Sequence, residues 1–243
     1  MQNDNASKNE REREFFDRVA EQHLLGGIQP MSQKILERYK WTKNANYFMK
    51  EKMFQLVNQN PGKKILEVGC GEGTSSVQLA YAGKEVTAYD LSPKSIEVAQ
   101  LTAEANKVKV NFMVGDASKI DIVGREEYDI VWFQLVLHHL VPELDQVMKT
   151  AYETLRPGGL FVACEPIAYH SSLKKFSRFA PGSQNFTPDE CPLRPSEFEI
   201  IRRYFPKLHL RYYRLFARVD RFTKNLSLIK AAGWLDSIVL NIL

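Results

Sequence analysis

The chain is short of the features that mark a special environment. Its 243 residues hold three cysteines, Cys70, Cys164 and Cys191, widely spaced and in no Cys-x-x-Cys pair. Neither a disulfide framework nor a zinc site is indicated, and a reducing compartment is expected. No uninterrupted apolar run reaches the ~18 to 20 residues that a membrane span requires. Residues 1–14 are almost wholly polar, unlike a secretory leader. A cytoplasmic protein without a transmembrane segment is therefore expected. A strong charge imbalance is also missing, with 33 Lys/Arg against 29 Asp/Glu and a net charge of +4. The basicity is local: from His170 to Lys230 there are 13 Lys/Arg against 5 Asp/Glu. A solvated surface is the first explanation, with an anionic substrate, a membrane surface or RNA as the others.

What is present suits one medium α/β domain with additions. Hydrophobic residues make up 44% and charged residues 26% of the chain, enough to bury a core without staples. The organising stretch is Lys64 to Thr74. Ile65, Leu66 and Val68 are strand formers. Gly69-Cys70-Gly71-Glu72-Gly73 then allows a sharp turn in which a ligand can lie against bare backbone. The run from Ser75 to Ala80 begins a helix, so the glycines fall between a strand end and a helix start, where open α/β sheets bind ligands.

The glycine spacing argues against a dinucleotide. That fingerprint needs Gly-x-Gly-x-x-Gly/Ala, but here the third glycine comes one residue early and Thr74 stands in its place. Glu67, just ahead of the loop, would repel a pyrophosphate and attract an ammonium. S-adenosylmethionine has that ammonium and no phosphate. Two further acids follow the same pattern. Asp90 ends a second strand, Glu85 to Tyr89, 21 positions beyond Gly69, a spacing suited to accepting from ribose hydroxyls. Asp116 follows a third strand, Lys109 to Val114, where it can accept an adenine amine while the Ala117 amide donates to a ring nitrogen; the alternative is an Asx turn.

A fourth strand is expected at Tyr128 to Phe133 and a fifth at Leu160 to Cys164, separated by a helix with Leu144, Val147, Met148, Ala151 and Leu155 on one face. Arg156-Pro157-Gly158-Gly159 is expected to stop that helix. Residues 1–14 are expected to be a disordered tail and 15–60 an N-terminal helical lid, with the cofactor domain over 61–243. An insertion is expected at about 168–194, after the fifth strand. Leu208 to Ala217 and Asp236 to Ile242 have strand character and are expected to pair as an antiparallel edge.

These residues resemble the class I S-adenosylmethionine-dependent methyltransferases, in particular the small-molecule, methyltransferase type 11-like branch with Leu-His-His-Leu after the fourth strand. The resemblance spans roughly Lys63 to Pro166. It rests on five ordered motifs: Ile65 to Thr74, Asp90, Gly115-Asp116-Ala117, Tyr128-Asp129-Ile130-Val131 through Leu137-His138-His139-Leu140, and Leu155 to Gly159. It implies a Rossmann-like, seven-stranded, mostly parallel sheet whose last strand is antiparallel. It also implies that Glu67, Gly69, Cys70, Gly71 and Gly73 hold the methionine end. Asp90, with Leu91 beside it, would hold the ribose, Asp116 and Ala117 the adenine, and Phe133 and Gln134 the inner side of the methionine.

Methyl transfer from a sulfonium is an in-line displacement that mainly needs alignment, and a base only where the acceptor loses a proton. His138 or His139 is the candidate base, with Glu165 behind them; structural packing of both imidazoles is the competing role. The acceptor is expected to be small and partly apolar or aromatic, from the aromatics of the flanking segments. No metal is expected. The fourth strand is followed by Phe133-Gln134-Leu135-Val136 and not by Asp/Asn-Pro-Pro-Tyr/Phe, so DNA is not expected as a partner. RNA methylation through the basic segment, a non-catalytic cofactor-binding module and a nicotinamide dehydrogenase are the alternative readings.

Overall fold

The computed structural model describes residues 2–41, 48–119, 124–167, 191–213, 223 and 225–239. Their elements are α1 (Gln2–Gly26), α2 (Gln33–Leu36), α3 (Met49–Gln59), β1 (Lys64–Val68), α4 (Thr74–Tyr81), β2 (Glu85–Asp90), α5 (Pro93–Ala105), β3 (Asn111–Val114), β4 (Tyr128–Gln134), α6 (Leu144–Thr154), β5 (Leu155–Cys164), α7 (Pro195–Tyr204) and α8 (Leu226–Val239).

Five strands form one parallel sheet in the order β3-β2-β1-β4-β5, a Rossmann-like α/β arrangement. The chain leaves β1 toward β2 on one side and returns to β4 on the other. The carboxyl end of β1 is thus the point where the winding reverses. Val68, its last residue, stands between Tyr89 of β2 and Phe133 of β4. The crevice at this reversal is where an open parallel sheet admits a ligand.

Alternation along the strands builds a core on each face. Leu66, Val68, Val131 and Phe133 pack with Leu144, Val147 and Met148 of α6. Ile65, Ile130 and Trp132 pack with Met53, Phe54 and Val57 of α3. Trp132 and Phe54 are fully buried, their rings 5.4 Å apart. Helix starts follow local chemistry: Ser92 caps α5 by accepting from the Ser95 amide at 2.9 Å, and Pro93 fills the first turn, where no amide is needed.

Three expectations need correction. The first 14 residues are not a tail: from Gln2 they belong to α1, which runs to Gly26 and ends as Gly27 turns to φ +73°. Lys8 and Glu12 of that segment are buried, both against His139, so a polar face is turned inward and leaves no apolar period to read. The strand expected at Asp236 to Ile242 is helical over 236–239, as the end of α8; residues 240–242 lie outside the described residues. Asn225 starts this helix by accepting from the Ser227 amide at 3.0 Å, and Leu226 and Ile229 follow at helical spacing. Residues 208–213 of the other expected strand are irregular and line a cavity beside β5, while 214–217 lie outside the described residues. Among the described residues the sheet therefore has five strands, all parallel, and not seven with an antiparallel edge.

Two smaller differences concern β5 and the insertion. α6 stops at Thr154, and β5 starts at once, running through Arg156 to Gly159, with a register shift against β4 between Tyr128 and Ile130. Of the expected insertion, 168–190 lie outside the described residues; Leu193 bridges Ile167, so the two ends of that segment lie side by side. No helix among the described residues is long and apolar enough to cross a membrane.

Candidate functional site

The glycine loop after β1 is held by the end of β2. The Tyr89 carbonyl accepts from the amides of Gly69 at 2.9 Å and Cys70 at 3.1 Å. Asp90 Oδ2 accepts from the Gly71 amide at 2.7 Å, and Oδ1 from the Ser92 amide at 3.0 Å. Gly69, Gly71 and Gly73 all have positive φ, at 68°, 52° and 75°. Their surroundings differ. A Cβ on Gly69 would lie 2.4 Å from Val136 Cγ2, and one on Gly73 2.8 Å from the Ala99 Cβ. A Cβ on Gly71 would meet nothing within 4 Å. Gly69 and Gly73 thus serve packing, whereas Gly71 faces open space, a cradle of bare backbone.

Glu67 lies on β1 just before the loop and is 2% exposed. Ser76 Oγ on α4 donates to its Oε2 at 2.5 Å. Burial pushes the Glu67 carboxyl up to about 7, opposed by the Ser76 hydrogen bond and the charge of Lys50. Burial likewise lowers the Lys50 ammonium to about 8, with the Glu67 charge opposing. Burial also raises the Asp90 carboxyl, against the amides of Ser92 and Gly71. The Cys70 thiol is held well above its usual range by burial and then by the charges of Asp90 and Glu67, so it stays neutral.

Asp116 stands at the carboxyl end of β3. Its Oδ1 accepts from the amide of Ser118 at 2.9 Å and its hydroxyl at 2.6 Å, an Asx turn, while Asn9 Nδ2 on α1 donates to Oδ2 at 3.0 Å. Ala117 opens the short turn that follows. Gln134, at the end of β4, accepts from Ser75 Oγ at 3.0 Å and so adjoins the start of α4. Phe133 is fully buried, its ring 5.6 Å from Phe161; its side chain belongs to the core. Leu91 lies in the bend between Asp90 and the Ser92 cap. Leu135, which sequence patterns did not single out, holds φ +58° with its side chain 53% exposed. A strained backbone at a strand end of this kind marks a place where the chain is over-determined.

The two histidines follow in a tight turn, and both are buried. Glu165, beyond β5, closes this turn. Its Oε1 accepts from the amides of Val136 at 2.9 Å and Leu137 at 3.0 Å. Its Oε2 lies 2.8 Å from His138 Nδ1. A carboxylate only accepts, so Nδ1 carries the proton and Nε2 is the basic nitrogen of the ring. His139 Nδ1 lies 3.1 Å from Glu12 Oε1 on α1, and Lys8 Nζ donates to the His139 carbonyl. The two imidazoles are 4.2 Å apart.

α1 spans every strand end of this region. Beyond its contacts to Asp116 and His139, Asp17 accepts from Ser92 Oγ at 2.6 Å and from the Lys94 amide at 3.2 Å. His23 lies 2.5 Å from Glu72 of the glycine loop. Sequence reasoning placed the first half of this helix outside the site. The available signal was the recurrence of Asn9, Glu12, Phe16 and Asp17 at steps of three, four and one, a polar-rich stripe with no apolar period.

The fold is Rossmann-like α/β, and Glu67, Asp90 and Asp116 stand at successive strand ends around its glycine turn. Residues 65–159 match the family model described as "Methyltransferase domain". Over 105 residues the chain is 33% identical to a ubiquinone biosynthesis O-methyltransferase of Bordetella avium, covering 43% of each chain. The corresponding protein of Hydrogenovibrio crunogenus is 37% identical over 108 residues, covering 44% of this chain and 43% of its own. An uncharacterized methyltransferase of Synechocystis is 32% identical over 116 residues, covering 46% of this chain and 52% of its own. The chain thus spans about half or less of the length of these relatives. A solved S-adenosylmethionine-dependent methyltransferase from Methanosarcina mazei shares the fold, with a TM-score of 0.50 and 21% identity, covering 60% of this chain and 81% of that one. So does the [4+2]-cyclase SpnF, with a TM-score of 0.53 and 18% identity over 68% of this chain and 57% of that one. Residues 65–159 thus match a methyltransferase domain, and the described fold is shared with a solved S-adenosylmethionine-dependent methyltransferase.

Proposed function

We propose that the chain transfers a methyl group from S-adenosylmethionine to a small, partly apolar or aromatic acceptor, in the cytoplasm. The observation that carries this reading is the set of three acids at successive strand ends, Glu67, Asp90 and Asp116, around a glycine turn whose Gly71 leaves an open cradle. Acids there suit a ligand that brings an ammonium, ribose hydroxyls and an adenine amine, and no phosphate.

In this reading Glu67 and the backbone of Gly69 to Gly73, Cys70 included, hold the methionine end. Asp90 takes the ribose, with Leu91 beside it, and Asp116 and Ala117 take the adenine. Gln134 and the backbone of Phe133 border the methionine. The donor set fits: a buried carboxyl poised near neutrality gains a cationic partner, and carboxylate oxygens that now hold Gly71 and Ser92 have lone pairs left for hydroxyls. Bound S-adenosylmethionine supplies a methyl group on a sulfonium that is already activated for displacement.

The chain's own part is alignment and proton handling. α1 covers the strand ends as a lid and excludes water. His138, fixed by Glu165 in the tautomer with a basic Nε2, accepts the acceptor's proton as the new bond forms. His139, tied to Glu12, couples the lid to this turn.

Thermal unfolding with S-adenosylmethionine, S-adenosylhomocysteine and NAD in parallel tests the reading, because a ligand that binds only the folded state raises stability. The midpoint is expected to rise with the first two and to be unchanged by NAD. A rise with NAD alone would replace the reading with a dehydrogenase. Because a cyclase shares this fold, formation of S-adenosylhomocysteine with an acceptor present distinguishes turnover from binding alone.

A further inference from the structure

The side chains through which α1 meets the strand ends differ in what they touch. Asp17 accepts from Ser92 Oγ at 2.6 Å and from the Lys94 amide at 3.2 Å, and Glu12 lies 3.1 Å from His139 Nδ1. Ala20 of the same helix is fully buried. These groups seat the helix without touching a carboxylate proposed for the cofactor. Asn9 is different. Its Nδ2 donates at 3.0 Å to Oδ2 of Asp116, the carboxylate proposed for the adenine amine.

The two donors match in kind. Only the nitrogen of a carboxamide can donate to a carboxylate, so Nδ2 is the atom that faces Asp116. It is a planar NH2 on a trigonal carbon, as is the exocyclic amine of adenine. The other oxygen of Asp116 accepts from the Ser118 amide at 2.9 Å and from its hydroxyl at 2.6 Å. The chain itself therefore engages both oxygens, and an entering adenine amine meets a donor of its own type already in place. Asn9 is half-buried, and a hydrogen bond to a charged acceptor is stronger than one between neutral groups. Breaking it carries a cost.

We infer that Asn9 is an internal competitor for the adenine subsite: its carboxamide occupies Asp116 until adenine takes that oxygen over, and the contact sets how tightly the nucleoside end is held. Glu12, Asp17 and Ala20 keep α1 seated during the exchange, so only the Asn9 side chain has to turn away. The apparent affinity for an adenine ligand is then the intrinsic affinity reduced by the fraction of molecules in which Asn9 has let go. The inference rests on the S-adenosylmethionine reading, in particular on Asp116 as the adenine acceptor.

Calorimetric titration of two ligands into the full chain and its Asn9→Ala variant tests the assignment. S-adenosylhomocysteine carries the base, whereas S-ribosylhomocysteine keeps the ribose and homocysteine with a hydroxyl in place of the base. Asn9→Ala is expected to bind S-adenosylhomocysteine at least about threefold more tightly than the wild type, because the competing donor is gone and alanine preserves the helix. S-ribosylhomocysteine is expected to bind the two proteins equally, and matching circular dichroism spectra report an intact fold. Unchanged S-adenosylhomocysteine affinity overturns the inference, since Oδ2 then serves both donors at once. Weaker binding overturns it too, because Asn9 then helps to hold the base. A gain shared equally by S-ribosylhomocysteine places the effect away from the adenine and has the same consequence. If neither protein binds S-adenosylhomocysteine, the S-adenosylmethionine reading falls, and the inference falls with it.

Discussion

Glu165 Oε2 lies 2.8 Å from His138 Nδ1, and the other oxygen of the same carboxylate takes the amides of Val136 and Leu137. One buried side chain from the end of β5 therefore sets both the turn after β4 and the tautomer of its imidazole. His138→Ala is expected to lower kcat by about 10²- to 10⁴-fold with S-adenosylhomocysteine affinity unchanged. Glu165→Gln is expected to lower kcat as well and to destabilise the fold by about 1–3 kcal/mol. Steady-state kinetics beside calorimetry checks both. A His138→Ala enzyme with full kcat would assign the imidazole to packing.

Glu67 carries a pH signature. Its folded carboxyl sits near 7, above the ordinary carboxylate value of 4.5, so the cofactor-free protein is favoured while the group keeps its proton and loses that stability as pH rises through about 7. Glu67→Gln is expected to flatten this decline between pH 4.5 and 7 and to raise stability at pH 8 by on the order of 1–3 kcal/mol. The wild type is expected to gain S-adenosylmethionine affinity between pH 6 and 8 as its carboxylate forms, and the same change is expected to remove that rise. Unfolding midpoints and titrations across this range read both effects.

The three glycines are expected to respond differently to alanine. Gly71→Ala meets no neighbour and costs only its left-handed backbone, about 1–2 kcal/mol, but it fills the cradle and weakens the cofactor. Gly69→Ala adds a clash with Val136 and is expected to destabilise more. Comparison of unfolding free energy with S-adenosylhomocysteine affinity separates the two.

α1 reaches the ends of β2, β3 and β4 and the glycine loop through Asp17, Asn9, Glu12 and His23. As a lid it is expected to exchange its amide hydrogens more slowly when S-adenosylhomocysteine is added, across the helix and not at one end alone. The exposed His23–Glu72 contact is expected to add less than about 1 kcal/mol, so His23→Ala leaves the unfolding midpoint nearly unchanged.

How much of this was legible depended on what each residue packs against. β1, β2 and β4 were readable because Ile65, Leu66, Val86, Val131 and Trp132 are buried in a regular pattern, and apolar residues announce burial. The gathering of Glu67, Gly71 and Asp90 was readable because glycine and acid types carry their geometry with them. The first turns of α1 were not, since Lys8 and Glu12 are buried against polar partners and look like surface. The end of α8 was misread because a short apolar run such as Asp236 to Ile242 suits a strand as well as a helix until the Asn225 cap ahead of it is seen. Leu135 was invisible for another reason. A leucine at positive φ is imposed by tertiary contacts, and no local pattern encodes it.

The most direct measurement is calorimetric titration of S-adenosylhomocysteine into the wild type and Asp90→Ala. Asp90 holds Gly71 and Ser92 and is the proposed ribose acceptor, so the variant is expected to stay folded and to bind at least about tenfold more weakly. Equal affinity in a folded variant, or no binding by the wild type, would contradict the assignment of this site to S-adenosylmethionine.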